Sequence, residues 1–75
     1  MNKEIIEELN SLQLGDLIWW QQEGDEQLVI GIVTQLNEDP LFDYLWRADF
    51  PQDGEYCVWG ESTYEYALNG SMGAI

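Results

Sequence analysis

Seventy-five residues hold one domain at most, and so short a chain builds a thin core. Lys3 and Arg47 stand against fifteen acidic residues, a net charge of −13. That balance excludes ordinary binding to nucleic-acid phosphate, which needs cations to displace counterions, and argues against docking on an anionic membrane. With no His and a single Cys57, there is no internal disulfide, no nucleophile–base pair and no Cys/His metal set. Paired carboxylates remain for glycoside chemistry, but a domain this small has little room for a cleft. The expectation is a non-enzymatic protein with no cofactor. A lone Cys among apolar neighbours fits a reducing compartment and a core position. No apolar run approaches the roughly 18 residues of a spanning helix. The start Met-Asn-Lys-Glu has no secretory pattern. A cytoplasmic location is expected.

In chain order, Asn2 is placed to cap a short helix within residues 1–13. Its apolar positions Ile5, Ile6, Leu9 and Leu12 recur at helical spacing, with Glu4, Glu7 and Glu8 opposite. Such a helix plugs or covers one face of a sheet.

Residues 15–36 carry the strongest pattern. Two runs rich in β-branched and aromatic residues flank Glu23-Gly24-Asp25-Glu26, which reads as a hairpin loop. Side chains alternate along a strand, so Trp19 and Trp20 face opposite ways. One belongs to the interior; the other lies under the helix or in an exposed binding patch. Leu28, Ile30 and Ile32 share one face of the second run, Val29 and Val33 the other. A strand apolar on both faces is covered on both, which makes Ile30 and Ile32 candidate core residues.

Residues 37–40 form a turn cluster, and 41–48 a third strand with Phe42, Tyr44 and Trp46 on one face. Residues 49–54 read as a turn ending in Asp-Gly, and 55–60 as a fourth strand that divides Tyr56 and Val58 from Cys57 and Trp59. Residues 62–68 allow two readings. Ser62-Thr63-Tyr64-Glu65 has the form of a capping box before a short helix ended by Gly70. Tyr64, Tyr66 and Leu68 also alternate as a strand would, and a fifth strand would close an open edge. The strand is the preferred reading, with 69–75 a loose tail.

The expected architecture is thus mainly β: a small, partly open antiparallel barrel of four or five strands over residues 14–68, with a short N-terminal helix. Leu14-Gly15-Asp16-Leu17-Ile18, Gly31-Ile32-Val33, Tyr44-Leu45-Trp46 and Tyr56-Cys57-Val58-Trp59 resemble the SH3-like barrels found among small proteins of tailed phages. The similarity covers residues 14–60; the helical start and the acidity depart from it. It implies an SH3-like fold and, for a phage product, action in the host cytoplasm. Fold alone does not settle function.

Two groups of residues are candidate binding sites. Glu23, Asp25, Glu26, Asp49 and Asp53 form an acidic rim, because alternate loops of a barrel emerge at the same end. Trp20, Trp46 and Trp59 are candidates for an aromatic surface beside these acids. The acidic turns could in principle ligate Ca²⁺, but neither Glu23, Asp25 and Glu26 nor Glu38 and Asp39 have a recognised ligand spacing. Fifteen acids exceed what solubility needs and repel one another in the compact state. The expected partner is a basic protein surface, of a host protein for a phage product; if that surface normally holds nucleic acid, the chain is a DNA mimic. Alternatives are a structural accessory of a phage particle, or an SH3-type binder of basic or Pro-rich peptides.

Overall fold

The structure, a computed structural model, describes residues 2–21 and 27–75. The hairpin loop with Glu23, Asp25 and Glu26 lies outside the described residues, as does the Asn2 side chain expected to cap the helix.

Helix α1 (Asn2–Asn10) is followed by β1 (Leu17–Gln21), β2 (Leu28–Leu36), β3 (Tyr44–Phe50) and β4 (Glu55–Gly60). A 3-10 turn (Glu61–Thr63), helix α2 (Tyr64–Leu68) and β5 (Met72–Ala74) complete the chain. The strands form one antiparallel sheet in the order β4-β3-β2-β1-β5. It curls into a partly open barrel, consistent with a small SH3-like fold.

Alternation determines what lies inside. Ile18, Val33, Trp46, Ala48, Phe50, Trp59 and Met72 face inward and are buried. In β2 the register shifts between Val33 and Gln35. One extra residue there reverses the parity, so Leu36 packs on the core as Val33 does. Helix α1 covers the inner face as its pattern implies: Leu9 joins the core and Ile5 packs against it, and Leu12, two residues past the helix, is buried there too. Polar bonds secure it. The Trp46 indole N–H donates to the Leu9 carbonyl at 2.6 Å, and that of Trp59 to Asn10 Oδ1 at 2.9 Å. The 11–16 linker is tied to β2 by reciprocal backbone bonds, Gly15 N to Val33 O and Val33 N to Asp16 O, both 2.9 Å.

Four expectations are corrected. Residues 62–68 are helical, not a strand. The Thr63 hydroxyl accepts from the Gly60 N–H at 2.9 Å and donates to the Gly60 carbonyl at 2.7 Å, closing a tight turn that alternation alone cannot reveal. The tail 69–75 is not loose. Its residues 72–74 pair with β1, and Gln21 N and Ile75 N donate to Ser71 O and Leu17 O at 2.9 and 3.0 Å. The third strand starts at Tyr44 and runs on through Phe50, because Trp46, Ala48 and Phe50 continue one inward face. Finally, β2 is not covered on both sides. Leu28 and Ile32 are 53% and 39% exposed and Ile30 is half-buried, since α1 lies on the inner face and leaves the outer one bare. Trp19 is likewise on the outer face, away from α1. Its indole lies over Gly73, where an added Cβ would fall 2.6 Å from Nε1.

Candidate functional site

Of the expected acidic rim, Asp49 and Asp53 are the two members among the described residues. In an antiparallel sheet the β3–β4 turn lies at the end where β1 stops and β2 begins, so Asp53 belongs to that end. The turn is held by Asp53 N and Gly54 N donating to Phe50 O at 3.1 and 3.0 Å, with Gly54 at φ +69°. Asp49, in contrast, is a sheet residue and not a rim residue. Once the strand extends through Phe50, Asp49 projects from the outer face. There Arg47 Nε donates to its Oδ1 at 3.2 Å and Thr34 Oγ1 to its Oδ2 at 3.3 Å. Glu38 and Asp39 sit in the turn at the other end, where Asp39 Oδ1 accepts from Leu41 N at 2.9 Å.

The aromatic group divides. Trp46 and Trp59 are in the core, not on a binding surface: their rings stack at 5.9 Å with 14° between planes, and α1 takes both indole N–H groups. Trp20 is half-buried and faces a gap. It meets Phe50 at 5.6 Å and the edge of Tyr66 at 6.3 Å. From there a groove of about 350 Å³ runs between β4 on one side and α2 with β5 on the other. Tyr56, Cys57 and Val58 form one wall; Trp20, Tyr66 and Met72 form the other. Tyr56, 60% exposed, also borders a second hollow of about 240 Å³ with Arg47, Asp49 and Glu55. The Arg47 guanidinium sits 4.2 Å from the centroid of the Tyr56 ring.

Sequence reasoning missed Tyr66. The Tyr64–Tyr66 spacing looks like strand alternation, but α2 sends Tyr64 to Trp59, at 5.1 Å, and Tyr66 to Trp20. Burial, and then the charge of Asp49, push the Cys57 thiol up to about 11, so it is protonated and unreactive near neutral pH. Among the described residues no group of three or more His, Cys, Asp or Glu could hold a metal ion. What the site offers is an aromatic groove, an open strand edge and carboxylates at its margins.

The outer face has a separate character. Leu17, Trp19, Leu28, Ile30, Ile32, Tyr56 and Val58 project from it, and its charged residues Arg47 and Asp49 bond to each other. In a chain of net charge −13 that surface is, among the described residues, nearly neutral. No family model matches the chain, and no curated protein and no solved structure matches it.

Proposed function

We propose that this protein is a non-enzymatic acidic binding module that occupies a basic surface of another protein. The observation that carries the reading is an uncompensated charge that, among the described residues, is displayed almost wholly at the surface. The carboxylates of Glu4, Glu7, Glu8, Asp16, Glu38, Asp39, Asp43, Asp53, Glu55, Glu61 and Glu65 are all on exposed residues. Of the two cations, Arg47 is already engaged by Asp49 and Tyr56. Such a surface steers a cationic partner into contact and repels nucleic acid and anionic membrane. The resemblance to phage SH3-like barrels supports a phage product directed at a host protein, and a DNA mimic if the occupied surface ordinarily holds nucleic acid.

The test is association with a partner captured from host lysate and then purified. Changing Asp25, Glu26 and Asp53 to their amides is expected to slow association and flatten its salt dependence. The same change at Glu38 and Asp39 is the control. Equal weakening by both sets would reduce the effect to bulk charge. No weakening by either would remove the acidic surface from binding altogether.

A second reading, a structural accessory of a phage particle, is favoured by the neutral apolar outer face. Assembly through Leu28 and Ile32 would be insensitive to salt, which separates the two.

A further inference from the structure

The sheet has two ends, and they are unequal. β5 is three residues long with Gly73 at its centre, the short kind of edge that discourages pairing. β4 is six residues long, and its run Tyr56-Cys57-Val58-Trp59 has no charge, proline or glycine. Among the described residues it pairs with β3 alone. In an antiparallel ladder every second residue turns its N–H and C=O away from the partner strand, so the far side of β4 presents such groups to whatever lies there. What lies there is the aromatic groove, with Trp20, Tyr66 and Met72 facing the strand.

We propose that an extended, lysine- or arginine-bearing segment of the partner adds to the free edge of β4 and fills the gap in the barrel. This rests on the acidic-module reading and names the form its partner takes. The edge favours an extended chain because only such a chain meets alternate backbone groups. The groove takes every second side chain of that segment against Trp20 and Tyr66, where apolar groups or the stems of long cations pack well. Glu55 and Glu61 bracket β4 in sequence, one at each end of the edge, and attract positive charge at both. A second copy of this chain is the disfavoured occupant, because edge-to-edge pairing would set these acids of two highly anionic molecules beside one another.

The experiment uses the full chain and a synthetic eight-residue peptide of alternating Lys and Val, blocked at both termini. It is compared with the same peptide N-methylated at alternate residues, which keeps its charge but removes its edge donors. The unmodified peptide is expected to slow amide exchange at residues 56–58 and quench tryptophan emission. The methylated one should bind roughly tenfold or more weakly, as loss of two or more backbone bonds implies. Tyr66→Ala is expected to weaken the unmodified peptide several-fold while the melting temperature stays near wild type. Equal affinity for both peptides, with amide shifts confined to the acidic turns, overturns strand addition yet leaves the acidic reading standing. Binding of neither peptide at low salt overturns both. Concentration-dependent self-association that protects residues 56–58 without peptide also overturns it, in favour of a second copy.

Discussion

Trp46 and Trp59 pair across β3 and β4, and helix α1 closes over them and takes their indole N–H groups. Trp19 and Trp20 are neighbours on β1, and no such lid covers them: one crosses Gly73 on the outer face, the other looks into a groove. The same residue type is thus an anchor in one half of the molecule and a partly exposed surface in the other. Where the helix lies decides which. A buried indole gives up water at its N–H, a loss offset when the protein supplies an acceptor, and α1 supplies one to each ring of the Trp46–Trp59 pair.

The comparison breaks most severely at the anchor. Trp59→Ala removes a fully buried ring from the centre of the core and should cost about 3–5 kcal/mol. In a domain with little stability to spare, thermal or denaturant unfolding should show most of the chain unfolded. A melting temperature within a few degrees of wild type would mean the Trp46–Trp59 stack is not central.

The next largest effect concerns two glycines, one in each half. A Cβ on Gly60 would meet the Asp43 carbonyl oxygen, a backbone atom that cannot step aside; one on Gly73 meets only the Trp19 side chain. Gly60→Ala is expected to cost about 3 kcal/mol and Gly73→Ala about 1 or less, because overpacking is relieved when a side chain can move. Urea midpoints would check the order, and a reversal would place the rigid contact on the wrong side.

A third pair sharpens the contrast between faces of one strand. Val33 is buried inward and Ile32 is 39% exposed outward. Val33→Ala should cost about 2 kcal/mol, Ile32→Ala about 1, although Ile32 loses more atoms. Equal losses would mean the outer face is covered in solution.

The smallest effect is one of pH, at the groove. The Cys57 thiol rises from 9.0 to about 11 on folding. As pH increases the unfolded thiol ionises first, so the stability conferred by the neutral form is whole below about 9 and is lost as pH climbs through about 11. Between those limits wild type should lose up to about 2 kcal/mol more than Cys57→Ala, measured by chemical unfolding at each pH. Parallel curves for the two proteins would place the thiol in water.

Much of this was legible in the chain. The helical spacing of Ile5, Ile6, Leu9 and Leu12 announced a covering helix, and the alternation of residues 55–60 placed Trp59 and Cys57 together on one face of β4, the face that packing then turned inward. Local patterning sufficed there because the residues in one element share a single environment. It failed at Ile30 and Ile32 because two apolar faces of a strand look alike until something packs on one of them. It failed at 62–75 because three residues can join a sheet only when a distant strand offers an edge. Asp49 passed from turn to strand because one more inward-facing position beyond Ala48, Phe50, had room in the core.

The sequence by itself determined a small β-rich barrel, a covering helix, a surplus of fifteen acids over two cations, and a strong demand for surface exposure of those acids. Those properties follow from composition and period, which no packing arrangement can alter. Only the tertiary structure decided which tryptophans are hidden, that the C-terminal residues complete the sheet beside β1, and that β4 is left with a free edge facing aromatic side chains. Each depends on which element reaches which neighbour, a matter of contacts between residues far apart in the chain.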